Sequence, residues 1–105
     1  FMIRKIKEDE FEKEVLKNTK PVIVDFFATW CGPCQMLMPV LKEIAEERQD
    51  IDIIEIDVDE SRNLAYQYEI EAVPTMIIFR NGTAIDRIGG FYPKAELEEV
   101  LKRYI

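Results

Sequence analysis

A chain of 105 residues that is 48% apolar is long enough to bury one continuous core, and its two cysteines are too few for a multi-bridge secreted scaffold. A formal net charge of -7, with no basic stripe, argues against a nucleic-acid backbone or an anionic membrane surface as partner. Without a single histidine, Ser–His–Asp and Cys–His catalysis within the chain are excluded, and a zinc site lacks imidazole ligands.

Phe1 through Phe11 carries Arg4, Lys5, Lys7 and Glu8, so no apolar secretory leader is read there and a cytoplasmic protein is expected. No stretch has the length and apolarity needed to span a bilayer. Met2–Ile6 is predicted as a short first strand. Asp9–Leu16 is predicted as a helix with Phe11 and Val15 on one face and Asn18 near its end. Pro21–Ala28 is rich in Val, Ile and Phe and too short for a typical helix, so it reads as a buried central strand.

Pro33–Glu47 places Leu37, Val40, Leu41, Ile44 and Ala45 at helical spacing. A kink is expected at Pro39, which has no N–H to offer the Gln35 carbonyl. Ile51–Val58 is a second buried strand, in which Ile54, Ile56 and Val58 alternate with Ile53, Glu55 and Asp57. Asp59 or Ser61 is positioned to cap a short helix ending near Tyr68. Thr75–Arg80 and Thr83–Gly89 flank Asn81-Gly82, the signal of a type I′ hairpin. Pro93 suits the first turn of a last helix whose apolar face is Leu97, Val100, Leu101 and Tyr104. The order β-α-β-α-β-α-β-β-α defines an α/β chain: a central mixed sheet with helices on both faces, as one domain over residues 1–105.

Trp30-Cys31-Gly32-Pro33-Cys34 lies between the central strand and the long helix. Two cysteines three apart on a helical turn meet the Cα separation of a disulfide, about 4.4–6.8 Å. Cys31 falls at the helix start, where free N–H groups and the positive end of the helix dipole favour a thiolate. Cys34 lies inside the first turn and is expected to be more buried. Such inequality suits thiol–disulfide exchange, in which one thiolate attacks a target disulfide and the second thiol resolves the mixed disulfide. Pro33 fixes the first turn and gives up an N–H that has no helical partner. A structural disulfide, half of a metal site completed by a second chain, and two core cysteines by coincidence are the competing readings. So short a disulfide loop removes little unfolded-chain entropy, and the strand-to-helix setting favours redox chemistry.

Asp25 interrupts the apolar central strand. Buried there, it has a raised pKa and serves as a proton acceptor near neutral pH, or else it is a carboxylate satisfied by backbone hydrogen bonds.

These segments resemble the thioredoxin family over essentially the whole chain: Val24-Asp25-Phe26-Phe27-Ala28, the Trp30–Cys34 pentapeptide, Pro39, Val73-Pro74-Thr75, Asn81-Gly82 and Gly89. The similar disulfide isomerases usually carry His at the position of Pro33. The resemblance implies the thioredoxin fold and reduction of protein disulfides through Cys31 and Cys34. A disulfide isomerase or oxidase, and a binding subunit with an incidental dithiol, are the alternatives. It implies that Pro74 is cis and faces the cysteines, and that the backbone of Val73 pairs with an extended target segment. Trp30, Gly32, Pro33, Thr75, Gly89 and Gly90 would complete the target-binding groove, although Trp30 also suits partial core packing. Asp25 would accept the proton of Cys34. No bound cofactor and no metal are implied; electrons would come from a thioredoxin reductase and leave to disulfide-containing target proteins, with the chain acting as a monomer. Many bacterial relatives carry a Lys where this chain has Glu55, beside the matching Asp. If Glu55 faces Asp25, two carboxylates share one pocket and Asp25 stays protonated over more of the working pH range.

Overall fold

A computed structural model describes residues 3–104. The first strand, β1 (Ile3–Ile6), is the part of the predicted Met2–Ile6 strand within them; Met2 lies outside the described residues. There follow β2 (Val22–Phe27), α1 (Gly32–Glu47), β3 (Asp52–Asp57), α2 (Arg62–Gln67), β4 (Thr75–Arg80), β5 (Thr83–Gly89) and α3 (Lys94–Leu101). The five strands form one mixed sheet in the order β1-β3-β2-β4-β5. Neighbours β1 and β3, and β2 and β3, run parallel, whereas β4 is antiparallel to both β2 and β5. This is the predicted α/β architecture.

Burial on both faces explains why the central strands are near-continuous apolar runs. On one face Ile23, Ile53, Met76, Ile78 and Ile88 meet Leu37, Leu41 and Ile44 of α1 and Leu97 and Leu101 of α3. On the other, Val22, Val24, Phe26, Ile54, Ile56 and Phe79 meet Phe11, Val15 and Leu64 of α2. Because strand residues alternate, Asp25 and Glu55 fall on the face that α1 covers.

Four local details differ from the sequence expectation. The segment after β1 is not one α-helix but a 3₁₀ turn, Glu8–Glu10, followed by a π-helical turn, Glu12–Leu16. The Lys17 N–H reaches back to the Glu12 carbonyl (2.9 Å), and the Asn18 side-chain amide closes the turn on the Glu14 carbonyl (3.1 Å) while donating to the buried Asp52 carboxylate (2.7 Å). Phe11 and Val15 still both reach the core. Ser61 occupies the N-cap place of α2 without a side-chain cap bond; Asp57 instead holds the turn before the helix, its carbonyl accepting the Ser61 N–H (3.0 Å) and its carboxylate the Asp59 N–H (2.8 Å). Asp59 does not cap; its carboxylate is engaged elsewhere. Pro93 is the N-cap of α3, one residue before the first turn. As expected, Pro39 lies inside α1, on its exposed side.

The hairpin follows its turn chemistry. Asn81 and Gly82 have φ of 51° and 79°, both positive as a type I′ turn requires. A side chain at Gly82 would put its Cβ 2.8 Å from the Leu16 carbonyl oxygen, so the turn packs closely on the π-helical segment.

Candidate active site

Strand β2 ends at Phe27 and α1 begins at Gly32; the loop between them delivers Trp30 and Cys31 to the edge of the sheet. Cys31 is the N-cap of α1, in extended conformation (φ -96°, ψ 112°), and Pro33 sits in the first turn. The cysteines form a disulfide with Cα atoms 5.3 Å apart, inside the expected window. The Cys34 N–H donates to Cys31 Sγ at 3.2 Å. That N–H is one of the donors a helix start leaves without an intrahelical acceptor, so the helix terminus is aimed at the Cys31 sulfur.

The expected difference in exposure between the cysteines is not seen in this disulfide form: Cys31 is 4% exposed and Cys34 3%. Cys31 Sγ is folded back onto the helix N–H and lies 3.5 Å from the Val73 carbonyl oxygen, which covers it. The two sulfurs differ instead in their partners and in their place, one before the helix and one within its first turn. Gly32 and Pro33 form the exposed rim between them.

Across from the disulfide the Val73–Pro74 peptide is cis. The Pro74 carbonyl accepts the Gly90 N–H at 2.8 Å, Thr75 pairs in register with Gly89, and the Thr75 hydroxyl donates to the Ala72 carbonyl at 2.7 Å. Val73, Pro74, Thr75, Gly89 and Gly90 are thereby gathered at one end of the β4–β5 pair. Trp30 is 70% exposed, and its indole N–H donates to the Asp59 carboxylate at 3.0 Å. An open depression of about 170 Å³ runs beside it, lined by Trp30, Val58, Ile70, Glu71, Ala72 and Val73. Sequence reasoning assigned Val58 to strand packing and Asp59 to a cap, and gave Ile70 and Ala72 no role. The available signal was two apolar residues among glutamates directly before Val73-Pro74.

On the sheet face covered by α1, in the strand that leads into the Cys31 loop, Asp25 is 0% exposed. Its cross-strand partner on β3 is Glu55, which is 6% exposed. Burial first, then the Glu55 carboxyl group beside it, raise the Asp25 pKa from 3.8 to about 8. Burial also raises Glu55, against the opposing pull of Lys42 and Lys5. Among the described residues no cluster of three or more His, Cys, Asp or Glu is placed to hold a metal ion, and no helix is long and apolar enough to cross a membrane.

A bond closing so small a ring adds little to stability, yet this one is set where a helix terminus favours the Cys31 thiolate that its cleavage releases. The chain is a thiol–disulfide oxidoreductase. Comparison with known proteins gives the same answer: the family model described as Thioredoxin matches residues 2–103. The chain is 41% identical over 104 residues to a thioredoxin of Staphylococcus epidermidis, covering 98% of each. It is 40% identical over 104 residues to a thioredoxin of Porphyra purpurea (98% of this chain, 97% of that one) and 43% identical over 89 residues to a thioredoxin of Mycoplasmoides gallisepticum (85% and 89%). The chain belongs to the thioredoxin family. Its activity is the reduction of protein disulfides, and its partners are of two general kinds, proteins that carry a disulfide and a reductase that restores the dithiol. The isomerase, oxidase and binding-subunit alternatives are not favoured.

Proposed function

We propose that Cys31 is the attacking thiolate, Cys34 the resolving thiol and Asp25 the proton acceptor in the reduction of target disulfides. The observation that carries this assignment is the Cys34 N–H donated to Cys31 Sγ at the start of α1, a contact that favours negative charge on Cys31 alone. In the reduced chain the Cys31 thiolate attacks one sulfur of the target, forming a mixed disulfide and expelling the other target sulfur as a thiolate. Cys34 then gives its proton to the carboxyl site at Asp25. Its sulfur attacks Cys31 Sγ, and the electron pair of the mixed disulfide leaves on the target. Two electrons have passed to the target, whose thiolates take up protons, and the Cys31–Cys34 disulfide remains.

Docking is read from the same surfaces. An extended target segment pairs with the Val73 backbone, and its side chains enter the depression beside Trp30. Gly32 and Pro33 at the rim, and Pro74, Thr75, Gly89 and Gly90 opposite, leave the backbone free of bulk where the target disulfide must approach. In this reading the chain is a single domain over residues 1–105, works as a cytoplasmic monomer, holds no bound cofactor and is recycled by a thioredoxin reductase.

Trapping tests the assignment. With a disulfide-bonded protein substrate, Cys34→Ser accumulates a covalent adduct through Cys31 that dithiothreitol dissolves, and Cys31→Ser gives neither adduct nor turnover. An adduct formed through Cys34 in the Cys31→Ser chain reverses the two roles.

A further inference from the structure

The central pocket holds two carboxyl groups and too few donors for them. Neither Asp25 oxygen, nor Oε2 of Glu55, has a hydrogen-bond partner among the described residues when both groups are written as carboxylates. Two bare carboxylates, both buried and side by side on adjacent strands, cost several kcal/mol. The cations around them relieve this only in part and only through space. Lys5 is the cross-strand neighbour of Glu55 on β1, but its ammonium is 3.3 Å from Glu60 and sits over the Phe27 ring. Lys42 of α1 exerts only a through-space pull on Glu55. Asp57, on the same face of β3, is occupied by the Asp59 N–H. On the far side of Asp25, β4 presents the apolar Met76.

One proton placed between the two groups supplies the missing donor. We propose that Asp25 and Glu55 share a single proton as an acid–carboxylate pair, and that Glu55 acts through Asp25 as a positioning residue that receives its proton when Cys34 is deprotonated. This rests on the reading of Asp25 as the group that takes the Cys34 proton. Asp25 is 0% exposed, whereas Glu55 is 6% exposed and feels the through-space pull of Lys42 and Lys5, so the shared proton sits on Asp25 and the charge on Glu55. A protonated Asp25 has no vacancy for a second proton. Glu55 provides it: as the Cys34 thiol gives its proton to one Asp25 oxygen, Asp25 gives its own to Glu55. The start is Cys34–SH, Asp25–COOH and Glu55–COO⁻; the end is Cys34–S⁻, Asp25–COOH and Glu55–COOH. One proton has moved from sulfur to Glu55 and one negative charge has moved back. Glu55 is the more exposed of the two groups, and the exposed Lys5 and Lys42 favour its charged form, so the proton is lost to solvent from Glu55.

The test follows the carboxyl carbons of Asp25 and Glu55 by NMR through a pH titration of the full oxidised chain, beside the pH profile of the resolving step from a preformed mixed disulfide. The two resonances are expected to titrate together in two shared steps. Glu55→Gln lowers the Asp25 midpoint by about one pH unit or more, roughly a tenfold loss of proton affinity, and displaces the pH profile to the same point. Glu55→Lys lowers it further and gives a second reading if the amide variant folds poorly. An Asp25 midpoint unchanged in both variants overturns the pair, even if Asp25→Asn slows resolution. If Asp25→Asn leaves resolution unchanged at every pH, Asp25 is not the acceptor, and the reading beneath the pair falls with it.

Discussion

The indole N–H of Trp30 donates to the Asp59 carboxylate at 3.0 Å, joining the loop after β2 to the loop after β3 at the rim of the disulfide. Asp59 is in turn fixed by its own N–H, bonded to Asp57 at 2.8 Å. A large aromatic ring, 70% exposed, is thus held over the depression that leads to Val73 rather than left to rotate. Asp59→Ala removes the acceptor. The expected result is faster indole motion in time-resolved fluorescence anisotropy and a roughly 2–10-fold rise in KM for a protein disulfide, the scale of one partly exposed hydrogen bond. Unchanged anisotropy and KM would mean that packing alone holds the ring.

Asp25 binds its proton more tightly in the folded chain than in the unfolded one, since folding raises its pKa from 3.8 to about 8. Between those two values the native state holds the extra proton, so stability falls as pH rises. The contribution is full below the unfolded pKa and is lost as pH passes through the folded one. Asp25→Asn keeps the shape and removes the titration. The variant is expected to match the parent near pH 4 and to exceed it at about pH 8 by on the order of 3–5 kcal/mol in denaturant unfolding of the oxidised form. Parallel pH curves for the two chains would place the Asp25 pKa near its ordinary value.

Gly82 stands where the hairpin turn meets the π-helical segment. Its φ of +79° disfavours any side chain, and a Cβ would lie 2.8 Å from the Leu16 carbonyl oxygen. Gly82→Ala is expected to cost about 1–3 kcal/mol in urea unfolding while leaving the rate of disulfide reduction unchanged, because the turn is remote from the cysteines. Stability equal to the parent would show that Leu16 moves away at no cost.

Much of this architecture can be read from local sequence. Pro21–Ala28, apolar but for Asp25, and Ile51–Val58, with isoleucines on both alternating faces, are too short for typical helices and read as buried strands, and Asn81-Gly82 names its own turn. The Cys31–Cys34 spacing announces the disulfide, and the lone Asp25 in an apolar run announces a buried carboxyl group. What stayed hidden depends on contacts between distant segments. The π-helical turn is held by Asn18 bonding Asp52 on another strand, and the Trp30–Asp59 bond crosses two loops. The near-equal burial of the two cysteines reflects the Val73 carbonyl over Cys31, which no helix-start argument contains. That Glu55 faces Asp25 follows from strand register, which the sequence left as a condition and the pairing of β2 with β3 supplies.

The most direct test of the division of labour between the two sulfurs is alkylation of the reduced chain with iodoacetamide, resolved by peptide mass spectrometry across pH. Cys31, at the helix terminus, is expected to be labelled at least about ten times faster than Cys34 at neutral pH, with an apparent pKa below that of a free thiol. Equal labelling of Cys31 and Cys34 at every pH would contradict the account.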